Sequence, residues 1–182
     1  MKNIYLMLLT VCVAISSISC DSDDDNGTEI SDDSHLTIDG ICYELESGLN
    51  YDYGVSYEGG SYNFDVTLTD TDVITSEDGE QIPEDTVFNT VYFELWSDNA
   101  DDLSTGTYSY EGTADSDAFT YTNGEIEINY DIENGDADSY HEIIAGDVVI
   151  SENGSTYEIS FEGITEDGSQ VSLFYRGSLI AN

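Results

Sequence analysis

The sequence predicts an all-β fold, and three observations point to it. Apolar and polar residues alternate with a period of two along several segments, for example 61–69 and 125–133, which is typical of half-buried antiparallel strands. Asn-Gly or Asp-Gly pairs, which accept the positive φ angles of tight hairpin turns, follow many of these segments. The 3.6-residue period of an amphipathic helix is not evident after residue 35.

The alternation assigns the strands in order along the chain. They cover residues 36–46, 53–58, 61–69, 86–97, 106–111, 118–122, 125–133, 142–151, 156–163 and 170–180. We therefore expect an antiparallel meander of about nine or ten strands, which forms either a small lipocalin-like barrel or a two-sheet sandwich. Asn123-Gly124 is the clearest predicted hairpin turn, and 70–85 and 98–105 are the longest predicted loops.

The chain begins with features of a secretory signal peptide. Lys2 precedes an apolar run over 4–15, and small residues follow up to position 19. The run is too short to span a bilayer, which takes about 20 apolar residues. We expect three regions: a signal peptide at 1–19, a tether at 20–34 and a single β domain at 35–182.

Two short motifs suggest how the protein is anchored. Ser17-Ile18-Ser19-Cys20 resembles a bacterial lipobox, which implies that Cys20 becomes the lipidated first residue and carries palmitate-type chains. The acidic run after it resembles the export signal of Bacteroidetes-type surface lipoproteins, an uncharacterised β-rich group. Its residues are Asp21, Ser22, Asp23, Asp24 and Asp25. The resemblance implies a lipid-anchored location on the outer membrane, facing the cell surface.

The charge excludes several classes of function. The chain has 40 Asp and Glu against 2 Lys and Arg, a net charge of −38, and its pI is about 4.1. Such a protein repels phosphates, which excludes nucleic-acid binding. Electrostatic docking on anionic lipid is excluded for the same reason, so contact with the membrane is expected through the lipid anchor. Removal of Lys2 with the signal leaves one arginine against the 40 acids, a net charge of −39.

The cysteines follow from the same interpretation. Cys12 leaves with the signal and Cys20 carries lipid, so we expect no intramolecular disulfide. Cys42, in a strand-like segment, is then expected to be a small buried hydrophobic residue.

Two kinds of binding site are suggested by composition. Asp98, Asp101 and Asp102 offer the oxygen ligands that Ca²⁺ prefers. With 40 acids such clusters also arise by chance, so weak calcium binding is the expectation and no other cofactor is predicted. Tyr51, Tyr53 and Trp96 have the polar-tipped aromatic side chains that suit sugar recognition. The alternative for these three residues is cross-strand packing.

Catalytic motifs are missing from the sequence. There is no Gly-x-Ser-x-Gly elbow, no Gly-rich phosphate loop, and His35 and His141 lack metal-ligand spacing. We therefore predict a non-enzymatic surface module that binds glycan or another envelope component. A structural acidic coat without a specific ligand is the alternative. A hydrolase of extracellular polymer is the third interpretation. Paired carboxylates cleave glycosidic bonds in many hydrolases, but among so many acids no particular pair indicates this activity.

Overall fold

Along the strands of the domain, apolar side chains face inward and alternate with polar side chains that face outward. The computed structural model describes residues 34–56, 60–112 and 117–181. In this part of the chain all regular secondary structure is β, which confirms the predicted all-β fold. The strands are β1 (His35–Ile38), β2 (Ile41–Glu44), β3 (Ser47–Val55), β4 (Tyr62–Thr69), β5 (Val73–Thr75), β6 (Gln81–Pro83), β7 (Val87–Ser97), β8 (Gly106–Tyr110), β9 (Thr120–Asp131), β10 (Ser139–Glu152), β11 (Tyr157–Thr165), β12 (Gln170–Gly177) and β13 (Leu179–Ala181).

The predicted signal peptide and lipidation site fall elsewhere in the chain. Residues 1–33, with Cys20 and the acidic run 21–25, lie outside the described residues. Anchoring and export therefore stay predictions. No helix among the described residues is long and apolar enough to cross a bilayer.

One large sheet makes up most of the domain. Eleven strands of the described chain form it, in the order β13-β3-β4-β7-β9-β8-β10-β11-β12-β1-β2, and it curls into a half-barrel. The short strands β5 and β6 form a separate hairpin. Neighbours in the large sheet are antiparallel, except for short parallel pairings of β13 with β3 and of β8 with β9. β9 and β10 also pair directly at 125–128, so β8 is wedged between their diverging ends.

The concave side of the large sheet holds the hydrophobic core. At its centre the ring of Phe93 lies 5.7 Å from that of Tyr121 and 5.2 Å from that of Phe161, measured between centroids. All three side chains are almost completely buried. The two ends of the sheet also approach each other across this core. The hydroxyl of Tyr175 on β12 lies 3.0 Å from the position that a Cβ on Gly48 of β3 would occupy.

Asn123-Gly124 is not a hairpin turn, which corrects the sequence-based prediction. β9 runs through it without a break, and a Cβ on Gly124 would lie 3.1 Å from Ile143 and 3.3 Å from Phe93. The glycine therefore serves close packing in the strand interior. The other Asn-Gly and Asp-Gly pairs do form turns, with positive φ at Gly40, Gly79, Gly135, Gly154 and Gly168.

Three further boundaries differ from the prediction. The segment 36–46 is split at Asp39-Gly40 into the hairpin of β1 and β2. The predicted loop 70–85 contains the β5–β6 hairpin. β3 begins at Ser47, six residues before the predicted start. The prediction missed this part of the strand because its inward residue, Gly48, interrupts the apolar alternation. The side chains of Leu68 and Leu179 fill the space beside Gly48.

Cys42 also differs from the expectation. It is half-buried on β2, where Thr37 donates a hydrogen bond to its sulfur at 3.8 Å, so it is not a buried core residue. Cys42 is disulfide-bonded in the chain before any processing, and its partner lies outside the described residues. The expectation of no intramolecular disulfide applies to the mature chain, after removal of Cys12 and lipidation of Cys20, and it stays a prediction. The other cysteines of the chain are Cys12 and Cys20. Lipidation converts the Cys20 thiol to a thioether, which cannot form a disulfide. Lipidation and a Cys20–Cys42 bond therefore exclude each other.

Candidate functional site

The convex side of β3, β4, β7 and β9 collects two of the three aromatic residues singled out from the sequence. We call this surface the aromatic face. Its residues are Tyr51, Asn63, Asp65, Tyr92, Glu94, Trp96, Thr122, Asn123 and Glu125. Pairing places them in rows that cross the strands, with Tyr51 opposite Asp65 and Asp65 opposite Glu94. Each step along a row spans about 4.8 Å, the distance between neighbouring strands.

Strand alternation explains why these residues share a surface. Phe64 and Val66 of β4 are buried in the core, so Asn63 and Asp65, the residues alternating with them, point to the convex side. A β-bulge between Asp52 and Gly54 interrupts the β3 ladder beside this row. Tyr53 is the extra residue at this bulge, and its side chain is 67% exposed.

Trp96 is held in a fixed orientation on the face. Its indole Nε1–H donates a hydrogen bond to the Thr122 hydroxyl at 3.0 Å. The Thr122 hydroxyl in turn donates to the carboxylate of Glu94. A second β-bulge, between Glu94 and Leu95 on the β7–β9 ladder, lets Thr122 take part in this chain of bonds. The half-buried indole is therefore oriented before any ligand arrives.

Asp65 and Asn63 lie two residues apart on the convex side of β4. The Tyr92 hydroxyl donates to Asp65 Oδ2 at 2.7 Å, and Asp65 Oδ1 is buried. Asn63 is 8% exposed, and its Nδ2 is also buried. Burial raises the pKa of Asp65 to about 6, and the negative charge of Glu94 adds to this, while hydrogen bonding by the Tyr92 hydroxyl and by the Asn63 side chain opposes it. The Asn63 amide therefore faces the Asp65 carboxylate.

Acidic side chains dominate the polar part of the face. Glu125 lies opposite Tyr92 and accepts a hydrogen bond from Asn123 Nδ2 at 2.9 Å. Burial raises the pKa of Tyr92 well above its usual range, and its bond to Asp65 acts in the same direction. The four strands that form the face contain no lysine or arginine.

The basic groups of the described chain pair with acids elsewhere. Arg176 Nη2 on β12 lies 3.9 Å from Glu152 Oε2, and both side chains are about half exposed. His141 Nδ1 lies 3.2 Å from Asp167 Oδ2. Neither pair involves a residue of the aromatic face.

The predicted calcium ligands lie in the loop between β7 and β8, where they bond to the protein itself. Asp102 Oδ1 accepts hydrogen bonds from the Tyr157 hydroxyl at 2.5 Å and from the Leu103 N–H at 2.8 Å. Asp98 Oδ1 accepts from the Ser104 hydroxyl at 2.5 Å. Asp101 is exposed. No group of three potential metal-ligating residues occurs among the described residues, and calcium binding stays a prediction.

Two of the three predicted ligand-binding residues, Tyr51 and Trp96, thus lie on one surface, although they come from two strands that are not adjacent in the sheet. Tyr53, the third, lies at the neighbouring bulge of β3. Sequence reasoning did not single out Asn63, Asp65, Tyr92 or Glu94. The signal was present, because each alternates with buried residues of β4 or β7. Comparison of the chain with protein-family models, with curated proteins and with solved structures found no match.

Proposed function

We propose that this protein is a lipid-anchored cell-surface module that binds glycan on the aromatic face without cleaving it. The oriented indole of Trp96 carries the proposal, because Thr122 fixes it on a surface that also holds Tyr51 and Tyr92. Sugar hydroxyl groups both donate and accept hydrogen bonds, so the carboxylates and amides beside these rings supply partners for them.

The aromatic side chains supply the other half of a sugar site. Sugar rings have apolar C–H faces that stack on aromatic rings, while polar groups fix their orientation. Trp96 is held in place through Thr122, and Tyr53 projects into solvent. Preorganised aromatic side chains lose little conformational freedom on binding, which favours affinity.

The location follows from the motifs at the start of the chain. The resemblance of residues 17–20 to a lipobox and of residues 21–25 to an export signal supports a tether that presents the domain at the cell surface. An acidic tether repels itself and stays extended, so the domain would stand away from the membrane.

Affinity electrophoresis in gels that contain soluble polysaccharides tests this function. We expect at least one polysaccharide to retard the wild-type protein, and Trp96→Ala to abolish the retardation. Ile41→Ala is the matched control, because Ile41 is 60% exposed on β2, outside the face. If no polysaccharide retards the wild type, the coat interpretation is favoured. Retardation of Trp96→Ala would place the site elsewhere, and release of reducing sugar ends would indicate a hydrolase.

A further inference from the structure

We infer that the aromatic face binds internal stretches of linear polysaccharide chains that lack anionic groups, through aromatic residues too far apart for one sugar unit to contact two of them. This inference rests on the proposed function and adds the class of its ligand. Three features of the face support it: its convex shape, the spacing of its aromatic residues and the sign of its charge.

The convex shape of the face favours a chain over a single sugar. The opposite, concave side of the curled sheet is filled by core side chains such as Phe64, Phe93 and Leu95. Sites that hold a small molecule are concave and bury most of its surface. A convex surface touches its ligand from one side only, so one sugar unit or one chain end gains few contacts there. A chain that lies across the surface combines several weak contacts into one binding event.

Strand register sets the spacing of the aromatic residues. Tyr51 lies two strands from Glu94 in the same row, and Tyr92 and Trp96 lie two residues to either side of Glu94 on β7. With about 4.8 Å between strands and about 3.4 Å per residue, the backbone of Tyr51 is about 12 Å from that of Tyr92 and from that of Trp96. Tyr92 and Trp96 are about 14 Å apart along their strand by the same geometry.

The orientation of Trp96 keeps its ring well away from Tyr51. The indole Nε1–H donates to Thr122 on β9, which lies on the side of β7 opposite to β4 and β3. A hexose ring is similar in size to a tyrosine ring, so a single unit cannot stack on both Tyr51 and Trp96. A chain of several units can lie on both, and it gains the second contact without losing further freedom of movement.

The charge of the protein limits which chains can approach. The face carries the half-buried carboxylates of Glu94 and Glu125, its four strands contain no lysine or arginine, and the whole chain has a net charge of −38. Chains that carry uronate, sulfate or phosphate groups are repelled by such a surface. The hydroxyl groups of an uncharged chain can instead donate to the Glu94 carboxylate, which accepts several hydrogen bonds.

Affinity gels at low ionic strength test the class of ligand. Glucomannan, hydroxyethylcellulose and arabinoxylan are the uncharged probes, and alginate is the anionic probe. At least one uncharged polymer should retard the full mature protein, and alginate should not. Retardation by alginate that equals or exceeds that by the uncharged polymers would overturn the inference. If none of the four polymers retards the protein, the proposed function fails together with the inference.

Chain length tests the spacing of the aromatic residues. Trp96 is the single tryptophan of the chain, so its fluorescence reports binding at the face. The hexasaccharide of the retarding polymer should bind at least about tenfold more tightly than its disaccharide. Tyr51→Ala should remove most of this advantage and leave the affinity for the disaccharide unchanged. Ile41→Ala, which changes an exposed residue of β2 outside the face, should retain the advantage.

Three outcomes of these titrations would contradict the inference while leaving glycan binding intact. Equal affinity for the disaccharide and the hexasaccharide would rule out contacts along a chain. Loss of the same factor for both lengths in Tyr51→Ala would indicate one small subsite. Retardation that weakens when the polymer is lengthened at constant mass in the gel would indicate binding to chain ends. Circular dichroism of each variant verifies that it is folded.

Discussion

Asp65→Asn should stabilise the protein at neutral pH, although it removes a native carboxylate. Burial and the Glu94 charge raise the pKa of Asp65 from 3.8 to about 6. Because the folded state binds this proton more tightly than the unfolded state, stability falls as pH rises through this window. A difference of about two units between the folded and the unfolded pKa corresponds to about 3 kcal/mol of stability. Asp65 is only half-buried, so solvent screening reduces the expected gain to about 1–2 kcal/mol.

Urea denaturation of wild type and variant at several pH values measures this effect. The pH range starts above the pI of about 4.1, because the protein would precipitate close to its pI. The stability advantage of Asp65→Asn should be largest at mildly alkaline pH and should shrink as pH falls toward 5. Asp101→Asn, which changes an exposed carboxylate in the loop between β7 and β8, is the control variant. The reasoning is refuted if Asp65→Asn is no more stable than wild type in alkaline buffer, or if its advantage does not change with pH.

Three further predictions test other parts of the account. Phe93→Ala should lower the free energy of unfolding by about 3–5 kcal/mol, because Phe93 is fully buried against Tyr121 and Phe161. In the same denaturation experiment, Tyr53→Ala should lower it by less than about 0.5 kcal/mol, because the Tyr53 ring is exposed. Millimolar Ca²⁺ should raise the Tm more than NaCl of matched ionic strength if an acidic loop binds the ion, and equal shifts would leave only screening. Cys20→Ser should abolish palmitate labelling; a labelled variant, or a Cys20–Cys42 disulfide in the mature protein, would contradict the lipobox interpretation.

The sequence predicted most strands because their inner sides read as apolar alternation. β4, β7 and β11 were placed to within one or two residues at each end, since Phe64, Leu95 and Phe161 alternate with polar neighbours. The prediction did not find the start of β3, where Gly48 takes an inward position. It also placed a turn at Gly124, because a local pair of residues carries no information on the core side chains that surround it.

The aromatic face was only partly predictable for a related reason. Tyr51, Tyr53 and Trp96 were recognised as residue types that suit sugars, but their proximity depends on strand pairing. β4 and β7 are separated in sequence by the β5–β6 hairpin, so the Asp65–Glu94 pair is a consequence of sheet register. The burial of Asn63 on the convex side is also a consequence of strand pairing, and alternation along a single strand does not reveal it.

The indole N–H resonance of Trp96 tests the central claim most directly. The chain has one tryptophan, so a ¹⁵N-labelled protein shows one indole N–H signal. The Nε1–H group that gives this signal donates a hydrogen bond to Thr122 on the aromatic face. Titration with a soluble polysaccharide that retards the protein in the gel should move this resonance in a saturable way. The claim is contradicted if the polysaccharide binds and shifts other resonances while the indole signal stays in place, or if no resonance changes at saturating polysaccharide.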